Sequence, residues 1–385
     1  MSTEKSGFAI VGGGVAGLAM AIALQQKGYR APIFEATPDM QPAGAGLVLA
    51  VNAIKSLQKL GIADEVKAVA WEMPAFKVLS QSGSSISDME NDLLMKTFGL
   101  NNIAIHRTAL HRVLRSQIDE NQIHTGKKVV DYSEKHNGVE IIFEDGSTHF
   151  SEYLIVADGV NSCLRQKLVP GSTPRYAGYT CWRAIAEQPE SLSLDHGFEC
   201  SGSKGRFGAT PLAGNQLYWF ACVNAPRKDE SKKHWKTKEL LEIFKGYFAP
   251  IELILKNTKD EDVILNDIAD IAPIPRFAFR NILLAGDAAH ATTPNMAQGA
   301  CQALEDAAVL SQLLESNRDI PAAFLEFEKR RIPRTHFIVN TSRIMGKIFQ
   351  MENPIAIAFR NALFRSIPAS VSIKQLQKIY AVDFN

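Results

Sequence analysis

Phe8-Ala9-Ile10-Val11-Gly12-Gly13-Gly14-Val15-Ala16-Gly17-Leu18-Ala19-Met20-Ala21-Ile22-Ala23-Leu24 is the stretch that decides the fold class of this chain. Phe8 to Val11 read as a buried parallel strand, and Val15 to Lys27 have the alanine-rich 3.6-residue period of a helix that Gly28 ends. Ala31-Pro32-Ile33-Phe34-Glu35 supplies a second strand, so residues 8 to 35 make one βαβ unit. In such a unit Gly12 permits the tight turn, Gly14 lets the backbone approach a pyrophosphate and Gly17 packs the helix close to the strand. The free N–H groups and positive dipole end of the helix, with Ala16 in its first turn, then face the phosphate charge. Glu35 follows the second strand, where an acid accepts hydrogen bonds from ribose hydroxyls and disfavours a 2′-phosphate. The site suits FAD or NAD better than NADP.

A second glycine-bearing stretch stands far away, at Asn281-Ile282-Leu283-Leu284-Ala285-Gly286-Asp287-Ala288-Ala289-His290. It reads as a buried strand ending in a Gly-Asp turn. Thr292-Thr293-Pro294-Asn295-Met296-Ala297-Gln298-Gly299 then leads into a helix whose unpaired N–H donors could hold a flavin pyrimidine ring carrying negative charge. If both stretches grip one molecule, the intervening chain folds back on itself and the cofactor is long enough to span both sites. FAD meets that requirement.

Composition narrows the remaining classes. The 385 residues are 46% hydrophobic, enough for a large core and two or three domains. Forty-two basic residues against forty-one acidic ones leave a net charge of +1, so no broad field draws the chain to nucleic acid or an anionic membrane. Cys163, Cys181, Cys200, Cys222 and Cys301 are odd in number and widely spaced, which predicts reduced thiols, no metal site and a cytoplasmic location. The apolar run from Phe8 to Leu24 imitates a signal peptide, but its four glycines suit a strand-turn-helix and would weaken an inserted helix. No stable membrane association is expected.

The rest of the chain alternates between two patterns. Arg107 to Ile118 read as a helix, Val139 to Phe143 as a strand entering a hairpin, and Tyr153 to Ala157 as a strand rejoining the nucleotide sheet. Residues 73 to 100 lack a helical period and read as strands and loops. From Tyr176 to about Ile274 the chain favours β-formers, with one helix between Thr237 and Phe248. Phe277 to Ala285 reads as one strand, Gln298 to Leu314 and Ile320 to Arg331 as helices, and the tail from Thr341 as amphipathic helix broken at Pro354 and Pro368. The expected fold is α/β, α+β overall: a Rossmann-like FAD-binding domain (1–72, 101–172 and 276–345) interleaved with a β-sheet substrate domain (73–100 and 173–275), then a C-terminal helical segment (346–385).

These motifs together resemble the class A flavoprotein monooxygenases, single-component aromatic hydroxylases with the fold of para-hydroxybenzoate hydroxylase, including urate hydroxylase-like and salicylate hydroxylase-like members. Beyond the fingerprint the likeness includes Gly44-Ala45-Gly46-Leu47 with Asn52-Ala53, His106-Arg107-Thr108-Ala109-Leu110, Ala157-Asp158-Gly159 through Arg165, Tyr176-Ala177-Gly178-Tyr179 with Trp182-Arg183, and Gly286-Asp287 through Ala307. The resemblance implies that Asp287 binds the ribityl or ribose region, that Arg107 reaches the FAD, and that Asp158-Gly159 is a second fingerprint implicated in NAD(P)H use. It also implies that Gly44-Ala45-Gly46 lies near the isoalloxazine, and that Pro294 presents its carbonyl at the reactive face. Two departures stand out: Ala297 replaces the first glycine of the family's Pro-x-x-Gly-Gln-Gly, and Cys301 stands where many relatives have Asn.

The implied reaction has NADH or NADPH reduce the flavin, after which oxygen adds at C4a and the hydroperoxide hydroxylates a small aromatic or N-heteroaromatic substrate while water is excluded. Arg206 and Tyr218 flank the turn at Ala213-Gly214-Asn215 and match the substrate-binding Arg and Tyr of urate hydroxylases, although those enzymes carry an acid where this chain has Asn295. Arg206 would hold an anionic or enolate substrate and Tyr218 would hydrogen-bond it. The alternatives are a solvent-facing arginine and a sheet-packing aromatic. Rival functions are a tetracycline-inactivating flavin monooxygenase with a larger pocket and an FAD-dependent reductase or dehydrogenase without oxygen insertion. The expected assembly is a monomer or homodimer.

Overall fold

The computed structural model describes residues 5–40, 45–316, 319–382 and 384. Phe8–Val11 is a strand in which every side chain is buried, as a strand covered on both faces requires. It pairs in parallel with Tyr153–Val156 on one side and Ile33–Phe34 on the other. Tyr153–Val156 pairs in turn with Ile282–Leu284, again in parallel. The fingerprint strand, the strand before Asp158 and the strand before Gly286 are therefore neighbours in one sheet. Val156 lies level with both Val11 and Leu284, so the loops that follow these strands leave the sheet side by side. Their shared edge is the carboxyl end of the strands, where open α/β sheets bind ligands.

A second, seven-stranded sheet takes its strands from distant parts of the chain. Ala75–Ser80 and Ser85–Glu90 join Pro174–Glu187, Gly197–Gly202, Gly205–Leu212, Gln216–Asn224 and Ile264–Ile271. Alternation gives this sheet two unlike faces. Trp182, Phe198, Phe207 and Trp219 point to one side and bury against Leu240, Phe244, Ile251 and Ile254. Tyr179, Arg183, Arg206 and Tyr218 fall on the other side by the same parity, where Tyr179 and Arg206 reach Asn295 and Tyr218 packs against Gly46.

One helix, Ile320–Phe349, runs past both sheets. At about 1.5 Å per residue it is about 45 Å long. Near its start Phe324 packs edge-on to Phe8 and Tyr153 of the first sheet. Farther on, Arg343 binds Asp270 at 2.8 Å, and Gln350 at the C-terminal cap binds Arg206 of the second sheet at 2.9 Å. The helix thus fixes the spacing between the sheets.

Four sequence expectations are corrected here. Residues 73 to 100 contain a helix, Asn91–Phe98, whose short apolar surface left little period to read. The helix expected between Thr237 and Phe248 is present but ends at Ile243, and a second helix that was not expected, Pro250–Lys256, follows it, with Pro250 in its first turn. Phe277 to Ala285 is a tight hairpin, Ala278–Phe279 and Ile282–Leu284, with Arg280 in the left-handed region at φ +51°. The helix expected to end at Arg331 continues through Pro333 to Phe349.

Candidate functional site

The three loops at the end of the nucleotide sheet make one surface. Gly12 has φ +101°, and a Cβ there would stand 2.3 Å from the Ala157 carbonyl oxygen, so only glycine turns the chain so close to the neighbouring strand. A Cβ on Gly17 would stand 1.8 Å from the Gly12 carbonyl oxygen, which is the close helix-to-strand packing the fingerprint demands. Gly286, at φ +56°, backs onto Ala16 in the first turn of the fingerprint helix. The two glycine-bearing stretches, far apart in sequence, touch.

Glu35 closes the nucleotide end. Its carboxylate accepts from the Gly13 N–H at 2.7 Å and from the backbone and hydroxyl of Thr37, each at 2.9 Å. It is thereby fixed beside the start of the fingerprint helix. His111 Nε2 lies 2.8 Å from the Gly13 carbonyl and braces the loop from the helix Arg107–Ser116.

Asp158 follows the central strand, and its buried Oδ1 has no hydrogen-bond partner among the described residues. Burial raises its pKa, against the opposing pull of Ser162. Ser162 caps the helix Cys163–Leu168 by accepting from the Arg165 N–H. The Arg165 guanidinium, wholly buried, donates to the carbonyls of Val160, Ser172 and Ala288 at 2.8, 3.0 and 3.4 Å. Arg165 thus bolts the second fingerprint to the loop after Gly286. It stood within a motif that the sequence displayed, but nothing in the sequence distinguished it from the other basic residues there.

Asp287 and Arg107 form the middle of the site. Both side chains are open to solvent, yet protein crowds around them: desolvation raises the Asp287 pKa and lowers that of Arg107. Side chains that are open to solvent yet desolvated line a recess between the loops. The Arg107 N–H donates to the Ala45 carbonyl at 2.8 Å, which sets Arg107 beside Gly46. Gly44 lies outside the described residues. A Cβ on Gly46 would stand 2.3 Å from Tyr218 Cγ, so this glycine makes room for the tyrosine ring.

Around Asp287 the loop is held by buried charge. Asp306 Oδ2 accepts from the Gly286 N–H at 2.8 Å and lies 2.7 Å from His290 Nε2, while Arg331 Nε donates to its other oxygen at 2.6 Å. Burial alone would raise the Asp306 pKa, but His290 and Arg331 hold it below its ordinary value. Glu305 pairs with Arg331 and Arg334 and accepts from Asn52 at 3.1 Å. Asp306 stood in a motif that the sequence displayed, but its role was not readable there because its acceptors are spent on residues between 16 and 25 positions away.

Pro294, Ala297 and Gly299 line the far end. Pro294 and Ala297 are exposed to the cleft side, and nothing lies within 4 Å of where a Cβ on Gly299 would stand. Ala297 has φ +52°, so the conformation glycine would favour is present with alanine in it. Cys301 is fully buried; its sulfur accepts from the Ala50 N–H at 3.4 Å, and burial pushes its thiol up to about 12.

The three residues expected to meet substrate separate into two groups. Arg206 pairs with Cys222 across the strands and Tyr218 with Thr210, so they share a face but stand four register positions apart. Arg206 is only 2% exposed, and its Nε, Nη1 and Nη2 reach Gln350 at 2.9 Å, Glu199 at 3.2 Å and Asn295 at 2.7 Å. Asn295 spends both ends of its amide: its oxygen also accepts from the Tyr179 hydroxyl at 3.1 Å, and its nitrogen donates to Thr293 Oγ1 and the Ser342 carbonyl at 2.8 and 2.9 Å. A carboxylate would set an oxygen against the Ser342 carbonyl, which explains an amide at this position.

Tyr218 stands instead with Arg183, its diagonal neighbour on the adjoining strand. Arg183 donates to Asn266 at 2.6 Å, and its Nε is buried without a partner among the described residues. Its charge lowers the pKa of Arg107, so it reaches toward the same cleft. Burial pushes the Tyr218 phenol well above its ordinary pKa. Strict alternation from buried Trp182 was the sequence signal that could have placed Arg183 on the cleft face.

These residues fit FAD. Gly14 and Gly299 carry no side chain where nothing stands within 4 Å, Asp158 keeps an orphaned acceptor, and Asp287 and Arg107 remain open inside a crowded cleft. The comparisons with known proteins agree. Residues 6–319 match the family model described as FAD binding domain. The chain is 35% identical over 356 residues to the aurachin C monooxygenase/isomerase of Stigmatella aurantiaca, covering 92% of this chain and 93% of that one. It is 30% identical over 338 residues to an FAD-dependent urate hydroxylase of Klebsiella pneumoniae, covering 87% and 88%. The crystal structure of Klebsiella pneumoniae HpxO complexed with FAD and uric acid superposes with a TM-score of 0.90 at 27% identity, over 98% of this chain and 97% of that one.

Proposed function

The chain belongs to the FAD-binding-domain family, among flavin monooxygenases that hydroxylate aromatic compounds, and from that premise we propose that it uses NADH or NADPH and dioxygen to hydroxylate a small aromatic or N-heteroaromatic substrate. The observation that carries the reading is the junction of two surfaces: Gly46, set beside Arg107 by the Arg107–Ala45 hydrogen bond, packs directly against Tyr218 on the sheet face that also bears Arg183. Bound FAD supplies the redox chemistry between the nicotinamide nucleotide and dioxygen. Gly12, Gly14, Ala16 and Gly17 would hold its pyrophosphate, Glu35 its adenosine ribose, Arg107, Asp158 and Asp287 its centre, and Gly46 and Gly299 would border its ring.

Tyr218 stays protonated at neutral pH and donates a hydrogen bond to a carbonyl or enolate oxygen of the substrate. Arg183 turns its unpaired Nε to the same oxygen or its neighbour. Arg206 and Asn295 act from behind, as positioning residues that fix Tyr179 and the Pro294 turn. Pro294 would present its carbonyl toward the bound flavin, where bound cofactor and substrate would exclude water. No second Gly-x-Gly-x-x-Gly follows a strand in the sequence, so the nicotinamide nucleotide has no Rossmann site of its own and binds transiently in a groove.

The test is turnover under labelled dioxygen, with a panel of aromatic acids, purines and quinolones screened for faster NAD(P)H oxidation and peroxide measured in parallel. One labelled oxygen atom in the product is the expected result. Substrate oxidation without label would replace the monooxygenase with a dehydrogenase.

A further inference from the structure

The helix Pro354–Arg365 is built inside out. Its polar residues Arg360 and Asn361 are buried at 4% and 8% exposure, while Ile355, Phe359 and Leu363 stand 81%, 73% and 55% exposed. A surface helix in water normally turns its apolar stripe inward. Here the polar side is the anchored one. Arg360 donates to Asn361 Oδ1 at 3.0 and 2.8 Å and to the Ile348 carbonyl at 3.2 Å, and its guanidinium lies 5.1 Å from the Phe349 ring. Asn353 caps the first turn by accepting from the Ile355 and Ala356 N–H groups, and Arg365 reaches back to the Ser85 carbonyl at 2.9 Å. The helix is therefore held with its apolar face outward.

Ile355, Phe359 and Leu363 recur every four residues and form one stripe. The apolar surface is concentrated around it: of the eleven large hydrophobic side chains exposed among the described residues, seven lie between positions 337 and 371. Charge is concentrated there too. From residue 341 to the end the sequence has six basic residues and two acidic ones, although the whole chain carries only +1; Arg343 is spent on Asp270 and Arg360 is buried, which leaves Lys347, Arg365, Lys374 and Lys378. The overall balance that argued against an anionic surface hides this local excess.

We propose that the Pro354–Arg365 helix docks the protein on an anionic lipid surface. At twelve residues it is too short to span a bilayer, for which about 20 are needed. It lies in the surface plane instead, with Ile355, Phe359 and Leu363 in the headgroup–acyl boundary, and Arg365 at its end, with Lys347 and Lys374 of the helices that precede and follow it, supplies the attraction to the lipid charges. A second copy of the chain fits the patch less well, because a two-fold contact sets this basic region against itself.

The experiment is co-sedimentation of the flavin-loaded full-length protein with vesicles of phosphatidylglycerol and phosphatidylcholine, or of phosphatidylcholine alone, at low and high salt. Binding to the anionic vesicles should exceed binding to the neutral ones at least tenfold and weaken with salt. Ile355→Ser/Phe359→Ser/Leu363→Ser should lower it at least tenfold without changing flavin content or melting temperature, and Phe359→Ser alone at least threefold. Absence of binding at low salt, or equal binding by the variants, overturns the proposal. So does a wild-type dimer that the triple variant converts to monomer without any vesicle binding, since the stripe then covers a second copy.

Discussion

Gly286 and Ala16 stand back to back: a Cβ on Gly286, where φ is +56°, would lie 2.5 Å from the Cβ of Ala16. The pair joins the Gly286-Asp287 loop to the first turn of the fingerprint helix. Gly286→Ala therefore meets two penalties, a left-handed backbone and an overlap, together about 2–3 kcal/mol. The variant should lose most of its flavin on desalting, read from the absorbance ratio of flavin to protein. Adding Ala16→Gly should restore part of the loss by removing the overlap and leaving the backbone cost. Full flavin retention by Gly286→Ala would show that the close approach is not required.

Asp306 supports the same loop electrostatically. Asp306→Asn leaves Arg331 buried with half its countercharge and should cost about 3 kcal/mol, measured by chemical denaturation, with a fall in flavin occupancy. The Asp306 pKa is lowered in the folded protein, so its contribution is complete above the unfolded value of about 3.9 and lost as pH falls through the native value. Melting temperature should accordingly drop more steeply below about pH 4 in the wild type than in Asp306→Asn.

Ala297 offers the opposite sign. It is exposed and sits at φ +52°, so Ala297→Gly removes backbone strain without removing a packed side chain. The variant should be more stable by about 0.5–1 kcal/mol in denaturant titration. A loss of stability would mean that the turn tolerates alanine without strain.

Much of this site was legible in the sequence because its determinants are local. Gly12, Gly17 and Gly286 announce themselves by spacing from a strand and a helix, and the chain's return to one sheet follows from three apolar strands that each end in a Gly or Asp turn. What remained hidden depends on register and distance. Nothing local distinguishes Asp306 from a solvated acid until Arg331 arrives from the next helix. The shared face of Arg206 and Tyr218 was readable from parity. Their separation was not, because it depends on which residues pair across the turn. The inverted burial of Arg360 and Ile355 was also illegible: an amphipathic helix shows two faces in its sequence but not which one meets the protein.

The last expectation distinguishes the two arginines on the cleft side of the second sheet. Arg206 is buried with its charge balanced by Glu199; desolvation opposes its ionisation, but Glu199 more than compensates, and its pKa is raised. Arg206→Ala leaves that carboxylate and Asn295 without their cation, at about 2–4 kcal/mol of stability discounted for the partial exposure of Glu199. Arg183 is half-buried, and its Asn266 contact is exposed, so Arg183→Ala should change stability by less than about 1 kcal/mol. It should instead raise KM for the aromatic substrate at least tenfold and increase the share of NAD(P)H oxidation that ends in peroxide. Arg183→Lys should recover charge but not the directed Nε hydrogen bond, leaving KM raised. Unchanged KM and peroxide yield in Arg183→Ala, with a raised KM in a folded Arg206 variant, would return the substrate contact to Arg206.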